Sequence, residues 1–302
     1  MKLNLGQLRD LDAVARHASV TGAARALYRS PSTLSYSIRR LEETLGITLL
    51  DRRSHSARLT RQGEALAEEA RSLLAHAERT ERRMRLAQKG WETSLTIAAS
   101  DLVPMGRVLS LIGQFYRETP DTRVHVTREV LTGGWDALVA SRADLAIGVP
   151  ADGAPGTAVE ARTLAKVKFV FVVASDHPLA TETAPLSAER IRHHRAVAAS
   201  DTTRGLPART LRILEGQPVL SVPDQATKHM AILRGLGVGF LPERMVAEDI
   251  RQKRLVAPAL SFTAGESHTL CYAWRADEVG HGLAWFAARL EAEAKTGDWL
   301  LY

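Results

Sequence analysis

Residues 21–46 constrain the chain more than any other stretch, because they hold two short amphipathic helices with so few residues between them that the two must pack on each other. Thr21 is placed to cap a helix through Ala23, Ala24 and Leu27, whose mostly small side chains permit close packing, and Tyr28-Arg29 makes the turn. Ser30-Pro31 then opens a second helix. Serine at the cap and proline at the first helical position form a start signal, since the N–H that proline lacks has no helical partner there. Leu34, Ile38, Leu41 and Leu45 form the buried stripe of this helix, and Gly46 ends it. Upstream, Leu5, Leu8, Leu11, Val14 and Ala15 give a first helix one apolar stripe with which to close the core.

With the stripe buried, Ser30, Ser32, Thr33, Ser35, Tyr36, Arg39 and Arg40 stay outside. Hydroxyls and cations near a helix start bond base edges and phosphates when the helix enters a major groove; the same residues also make an ordinary solvated face. The segment after Gly46 favours the major groove. Ile47-Thr48-Leu49-Leu50 reads as a short β run, and the residues up to Leu59-Thr60 as a hairpin wing tipped with Arg52, Arg53, His55 and Arg58, suited to phosphates or a minor groove. Residues 1–90 hold 17 Lys/Arg against 10 Asp/Glu, so the chain's +6 is concentrated there and the remainder is close to neutral. Local positive charge is what phosphate neutralisation needs.

From Thr60 to about Lys89 there is no proline and much Ala, Glu, Arg and Leu, which predicts one long helix. Leu66, Ala70, Leu73, Ala77, Thr80, Met84 and Ala87 have the alternating spacing of a coiled-coil seam; packing of the helix on its own domain is the alternative. Gly90-Trp91 breaks it. Beyond lies an alternation of strands (95–99, 124–130, 145–149, 168–174, 196–199) and helices (105–116, 135–141, 227–233), which predicts a mostly parallel α/β sheet. Ligands in such sheets sit at the carboxyl ends of strands. Three loops qualify: Ser100-Asp101 after the first strand, Thr127 to Leu131 with Glu129 at the end of the second, and Ser200-Asp201-Thr202 after a later one. Their hydroxyls and acids also suit plain helix capping.

Several function classes lose ground. The N-terminus is charged at Arg9, Asp10 and Asp12, where a secretion signal needs an apolar core, and the chain has no long apolar run elsewhere, so a cytoplasmic protein without a membrane partner is expected. Cys271 alone makes no internal disulfide and reads as a buried thiol. No G-x-S-x-G, Walker loop or H-E-x-x-H is present. Gly235-x-Gly237-x-Gly239 precedes a strand where a dinucleotide fingerprint would open a helix, and His193-His194 reads as solvated. Neither an enzyme, a cofactor nor a metal is expected.

The pattern Ala23-Ala24, Leu27, Ser30, Leu34-Ser35, Ile38, Leu41-Glu42, Leu45-Gly46, Leu49-Leu50-Asp51-Arg52, Leu59-Thr60, Gly63 resembles the DNA-binding domain of LysR-type transcriptional regulators. It departs at Pro31-Ser32 and Tyr36-Ser37, where the family commonly carries glutamine or arginine, so no base preference is inherited. Arg142 to Gly148 and Gly235 to Pro242 resemble segments of that family's effector domain. The resemblance implies an α/β multidomain fold. It comprises a winged helix-turn-helix (1–60), a linker and dimerisation helix (61–90), and a two-lobed periplasmic-binding-protein-like (type 2) effector domain (91–302), with lobe I from 91–163 plus 267–302 and lobe II from 164–266. It implies a regulator that binds a double-stranded operator as a homodimer or homotetramer, controlled by a small-molecule effector, with RNA polymerase as a partner if it activates; a constitutive regulator without effector is the alternative. Family members commonly place effector-binding hydroxyls where Ser100 and Thr202 stand. Asp101 and Glu129 near the cleft point to a neutral or hydroxylated effector, aromatic or phenolic; pairing of either acid with Arg128, Arg204 or Arg107, which would carry no ligand information, is the alternative.

Overall fold

The computed structural model describes residues 3–51, 58–89, 91–119, 121–154, 156, 159–263, 267–276, 279–295 and 299. The chain divides into two compact units, Met1–Arg85 and Leu86–Tyr302.

In the first unit, α1 (Leu5–His17), α2 (Val20–Ala26) and α3 (Pro31–Leu45) enclose Leu8, Leu11, Val14, Ala23, Ala24, Leu34, Ile38 and Leu41. Leu5, on the first turn, stays largely exposed. Ser19 rather than Thr21 caps α2, its hydroxyl accepting from the Gly22 N–H; Thr21 lies inside the helix. Ser30 caps α3 and Gly46 ends it at φ 69°. The expected β run 47–50 shrinks to β1 (Leu50–Asp51), paired with β2 (Arg58–Leu59). The reason is Glu42, whose carboxylate accepts the N–H groups of Leu49 and Leu50 and so takes the hydrogen bonds that a longer strand would use. The wing-tip residues Arg52, Arg53 and His55 lie outside the described residues.

The long helix α4 (Arg61–Lys89) starts at Thr60, whose hydroxyl accepts from the Gly63 N–H. Gly63 is required: a Cβ there would stand 2.3 Å from the Leu49 carbonyl oxygen. Ala67, Ala70 and Leu74 of α4 are buried in the unit's own core. This corrects the expected seam at Ala70, which is fully covered within one chain; Leu66 packs partly against the same core. Leu73 is 46 % exposed, Ala77 is half-buried and Thr80 is exposed. The side chains of Met84 and Ala87 lie outside the described residues.

The second unit is built on a sheet ordered β10-β6-β11-β5-β3-β4, with β9 also paired to β6: β3 (Ser94–Ser100), β4 (Arg123–Glu129), β5 (Leu145–Pro150), β6 (Val159–Ala174), β9 (Gly239–Pro242), β10 (Leu255–Val256) and β11 (Ser267–Arg275). The sheet is mixed rather than mostly parallel. Strands β3, β4 and β5 are parallel, but β11 runs antiparallel to β5 and β6, as do β9 and β10 to β6. Strand β6 runs through several apolar cores. One lies under α5 (Met105–Glu118) and α10 (His281–Ala294) with Leu95, Phe115, Tyr272 and Phe286; α6 (Gly133–Val139) covers the same sheet around Trp135. The others gather Phe171, Val172, Val197, Ile232 and Phe240 around the parallel pair β7 (Ala196–Ala199) and β8 (Val219–Val222), with α7 (Ala188–Arg192), α8 (Gln225–Leu233) and α9 (Glu243–Arg251). No helix among the described residues is long and apolar enough to cross a membrane.

Candidate functional site

In the first unit the stripe Leu34, Ile38 and Leu41 is fully buried, which fixes the rotation of α3 and turns Ser32, Thr33, Tyr36, Arg39 and Arg40 outward; Ser35 is half-buried. Tyr36 is 65 % exposed. The Ser30 hydroxyl is shared among the Thr33 N–H and the hydroxyls of Ser32 and Thr33. The turn before α3 is pinned by Arg29, which donates to both carboxylate oxygens of buried Asp10 at 3.0 Å. Buried Asp12 accepts from Arg71 at 2.8 Å and so ties α1 to α4. These pairs hold an exposed strip of hydroxyls and cations on a rigid frame, with Arg58 exposed at the wing. Such a strip can bond base edges and phosphates.

In the second unit a cavity of about 690 Å³, counting its open mouth, is lined by Ser100, Asp101, Leu131, Phe169, Arg212, Gln225, Lys228, Phe240 and His268 among others. Its charges come from elements distant in sequence. Asp101 comes directly after β3; its carboxylate accepts the Gln225 N–H at 3.0 Å, and Arg128 grips its backbone carbonyl at 2.9 Å. Burial pushes the Asp101 carboxyl up to about 6, against the opposing pull of the Gln225 N–H and Arg128. Lys228, one turn into α8, is 7 % exposed, and burial brings its ammonium down to about 8, with Arg212 adding to the shift and Asp101 opposing it. Gly239 makes room for this side chain: a Cβ there would lie 3.1 Å from the Lys228 Cε. Arg212 stands at φ 62°, its guanidinium 4.7 Å and 4.8 Å from the ring centres of Phe169 and Phe240. It donates to the His268 Nε2 at 2.7 Å, which places the imidazole proton on Nδ1; burial and the neighbouring guanidinium both lower the His268 pKa.

Ser100, Asp101 and Leu131 thus line the cavity; Thr127, Glu129, Ser200, Asp201 and Thr202 are not in its lining. Thr127 is exposed on β4, at the sheet edge. Ser200 is exposed and bonded to Ser221. The other three fasten the segment after β7 onto the β4–α6 region. The Thr202 hydroxyl donates to the Glu129 carboxylate at 2.6 Å and accepts the Val130 N–H at 2.9 Å, while Asp201 accepts the Thr132 N–H. Asp136 accepts the N–H groups of Arg204, Gly205 and Leu206. Burial alone would raise its pKa, but Arg142 and these N–H groups outweigh that and hold it below the usual carboxylate range. Glu129 is therefore engaged by Thr202 and Arg142, and the acids expected to face a ligand reduce to Asp101. The cations of the cavity, Arg212 and Lys228, went unread because neither belongs to a strand-end motif. One signal for Lys228 was present: a lysine at helical spacing on the same face of α8 as the apolar Ala231 and Ile232.

A winged helix-turn-helix joined to an α/β unit with a charged, apolar-walled cavity defines the class: a DNA-binding transcriptional regulator. Residues 5–64 match the bacterial regulatory helix-turn-helix family of LysR type, and residues 88–295 match the LysR substrate binding domain. The chain is 36 % identical over 283 residues to the probable HTH-type transcriptional regulator YhaJ of Escherichia coli (strain K12), covering 94 % of each chain. It is 33 % identical over 294 residues to the HTH-type transcriptional regulator PunR of the same organism, covering 97 % of this chain and 94 % of that one. Among solved structures, that of CbnR, a LysR family transcriptional regulator, superposes with a TM-score of 0.59 at 19 % identity over 97 % of this chain and 99 % of the other; the complex of full-length CbnR with its target DNA gives the same TM-score. The chain belongs to the LysR family of transcriptional regulators, and its relatives are named as regulators, not enzymes.

Proposed function

We propose that this regulator binds a specific operator through the outer face of α3 and the wing, and that a small molecule in the second unit's cavity sets that binding. The observation that carries the reading is the cavity itself: buried Lys228 and Asp101 are drawn toward neutrality by desolvation, a cost a chain without a ligand to bind would not need to bear. Ser32, Thr33, Tyr36, Arg39 and Arg40 contact the DNA, with Arg58, Arg52, Arg53 and His55 on the flanking phosphates. The units run over 1–60, 61–90 and 91–302, and the exposed side of α4, with Leu73 and Ala77 at its centre, pairs two copies in the cytoplasm so that two recognition helices meet a two-fold operator. A ligand that prefers one arrangement of the cavity walls shifts the population of that arrangement and so the reach of the paired DNA-binding units. RNA polymerase is the partner where the outcome is activation. The test is an operator fragment recovered by selection on the full-length protein and titrated with and without a ligand found by thermal shift. The reading requires a several-fold change in operator affinity; equal affinity with saturating ligand overturns it.

A further inference from the structure

The inner end of the cavity holds groups whose bonding is incomplete. Among the described residues the Lys228 ammonium has no hydrogen-bond partner and no carboxylate at ion-pair distance, although the residue is 7 % exposed. One turn earlier on α8, the Gln225 side-chain oxygen is buried without a partner, in a residue 6 % exposed. Buried polar groups are normally satisfied, so the unpartnered Gln225 oxygen, beside an ammonium in the cavity lining that has no ion-pair partner, marks a place where a bound molecule supplies the bonds. The surrounding charges set its sign. Lys228 faces Arg212 and Asp101; Arg212 is bonded to His268 and stacked on two phenylalanines, and Asp152 at the rim is paired with Arg209. Two cations therefore stand against one carboxylate, and the remaining walls, Leu102, Leu131, Leu211, Leu270, Phe169 and Phe240, are apolar.

We infer that Lys228 and Gln225 are the ligand-reading pair of this cavity, and that they select a small monoanion with an aromatic or other apolar body, its charged oxygen on the Lys228 ammonium and a hydroxyl or N–H of its own donating to the Gln225 oxygen. The inference rests on the cavity being the ligand site. It reverses the expectation of a neutral ligand, because the second acid behind that expectation, Glu129, is used elsewhere. Binding an anion also holds the lysine in its charged form: with its ammonium drawn down to about 8, a monoanion that requires the protonated form loses affinity about tenfold between pH 7 and pH 9. Asp101 and His268, the other titrating groups of the lining, have pKa values below that window, and Arg212 stays charged throughout it.

The experiment uses the full-length protein and four probes built on one ring: benzoate, meta-hydroxybenzoate, meta-methoxybenzoate and the neutral benzamide, with affinities from calorimetry and unfolding temperature as a second readout. A charge-assisted hydrogen bond predicts benzoate at least about tenfold tighter than benzamide, and the hydroxyl donor about threefold or more tighter than its methoxy counterpart. Lys228→Met should erase the first difference and Lys228→Arg should keep it; Gln225→Leu should erase the second. Benzamide binding as tightly as benzoate, or a benzoate preference that survives Lys228→Met, overturns the inference. If benzamide binds equally and only the cavity-filling Leu102→Trp removes it, the charge class falls while the cavity's role as the ligand site stands. If no probe of either class binds, both fall.

Discussion

Replacing Lys228 by methionine is expected to stabilise the C-terminal unit while removing its grip on an anion. The magnitude comes from the lysine's environment. An amine that titrates near 8 in the folded chain and at its ordinary value of 10.5 when unfolded costs the folded state about 3 kcal/mol wherever both states are protonated. Methionine has a similar unbranched shape and carries no charge to desolvate, so most of that cost disappears. The sign with pH is fixed. The folded pKa lies below the unfolded one, so below about pH 8 the penalty is complete; between about 8 and 10.5 the folded chain sheds its proton first, wild-type stability rises, and the advantage of the variant shrinks to roughly 1 kcal/mol by about pH 10. Urea unfolding monitored by tryptophan fluorescence reads this unit alone, since all five tryptophans lie beyond residue 90. A variant less stable than wild type at pH 7, or an advantage of constant size from pH 7 to 10, would refute the reasoning.

Other perturbations probe the scaffold and the DNA face. Glu42→Ala strands the buried N–H groups of Leu49 and Leu50 and should cost the N-terminal unit about 1–3 kcal/mol, measured by helix loss in circular dichroism on heating. Thr202→Val removes the donor to buried Glu129 and should destabilise the C-terminal unit by about 1–2 kcal/mol, with faster amide exchange across 200–206. Gly239→Ala places a methyl 3.1 Å from the Lys228 Cε and from the Val197 carbonyl oxygen, and should weaken benzoate binding more than benzamide binding in calorimetry. Arg39→Ala should weaken operator binding by about 1–3 kcal/mol if it bonds a base, with loss of discrimination at one position; if it touches only phosphate, weakening is uniform and the salt dependence becomes shallower.

The winged unit was readable at the level of single residues because its signals are local. Caps, a proline at the first helical position and a four-residue apolar stripe each act within a turn or two. Where the reading slipped, a longer-range bond had intervened: Glu42 took the amides that would have lengthened β1, and the winged core covered Ala70, which heptad spacing alone assigns to a partner. In the C-terminal unit most strands were visible, but their directions were not. Strand β6, twice the length read from its apolar half, pairs along its exposed first half with β11, and that antiparallel pairing depends on residues a hundred positions apart. The cavity was the least legible part for the same reason. Asp101 and Leu131 stand at strand ends and could be found by rule, whereas Lys228, Gln225 and Arg212 converge on them only through the folding of α8 and the loop before β8. A hydroxyl at a strand end does not declare its use either: Thr202 fastens Glu129 rather than facing the cavity.

The central claim is that one chain couples an anion-reading cavity to a DNA-reading helix, and operator binding by fluorescence anisotropy with and without the tightest monoanion tests it most directly. In wild type the monoanion should change operator affinity several-fold, Lys228→Met should lose that response, and Arg39→Ala should lose specific binding while still taking up the monoanion. An operator affinity that the monoanion leaves unchanged, or changes equally in wild type and Lys228→Met, would contradict it.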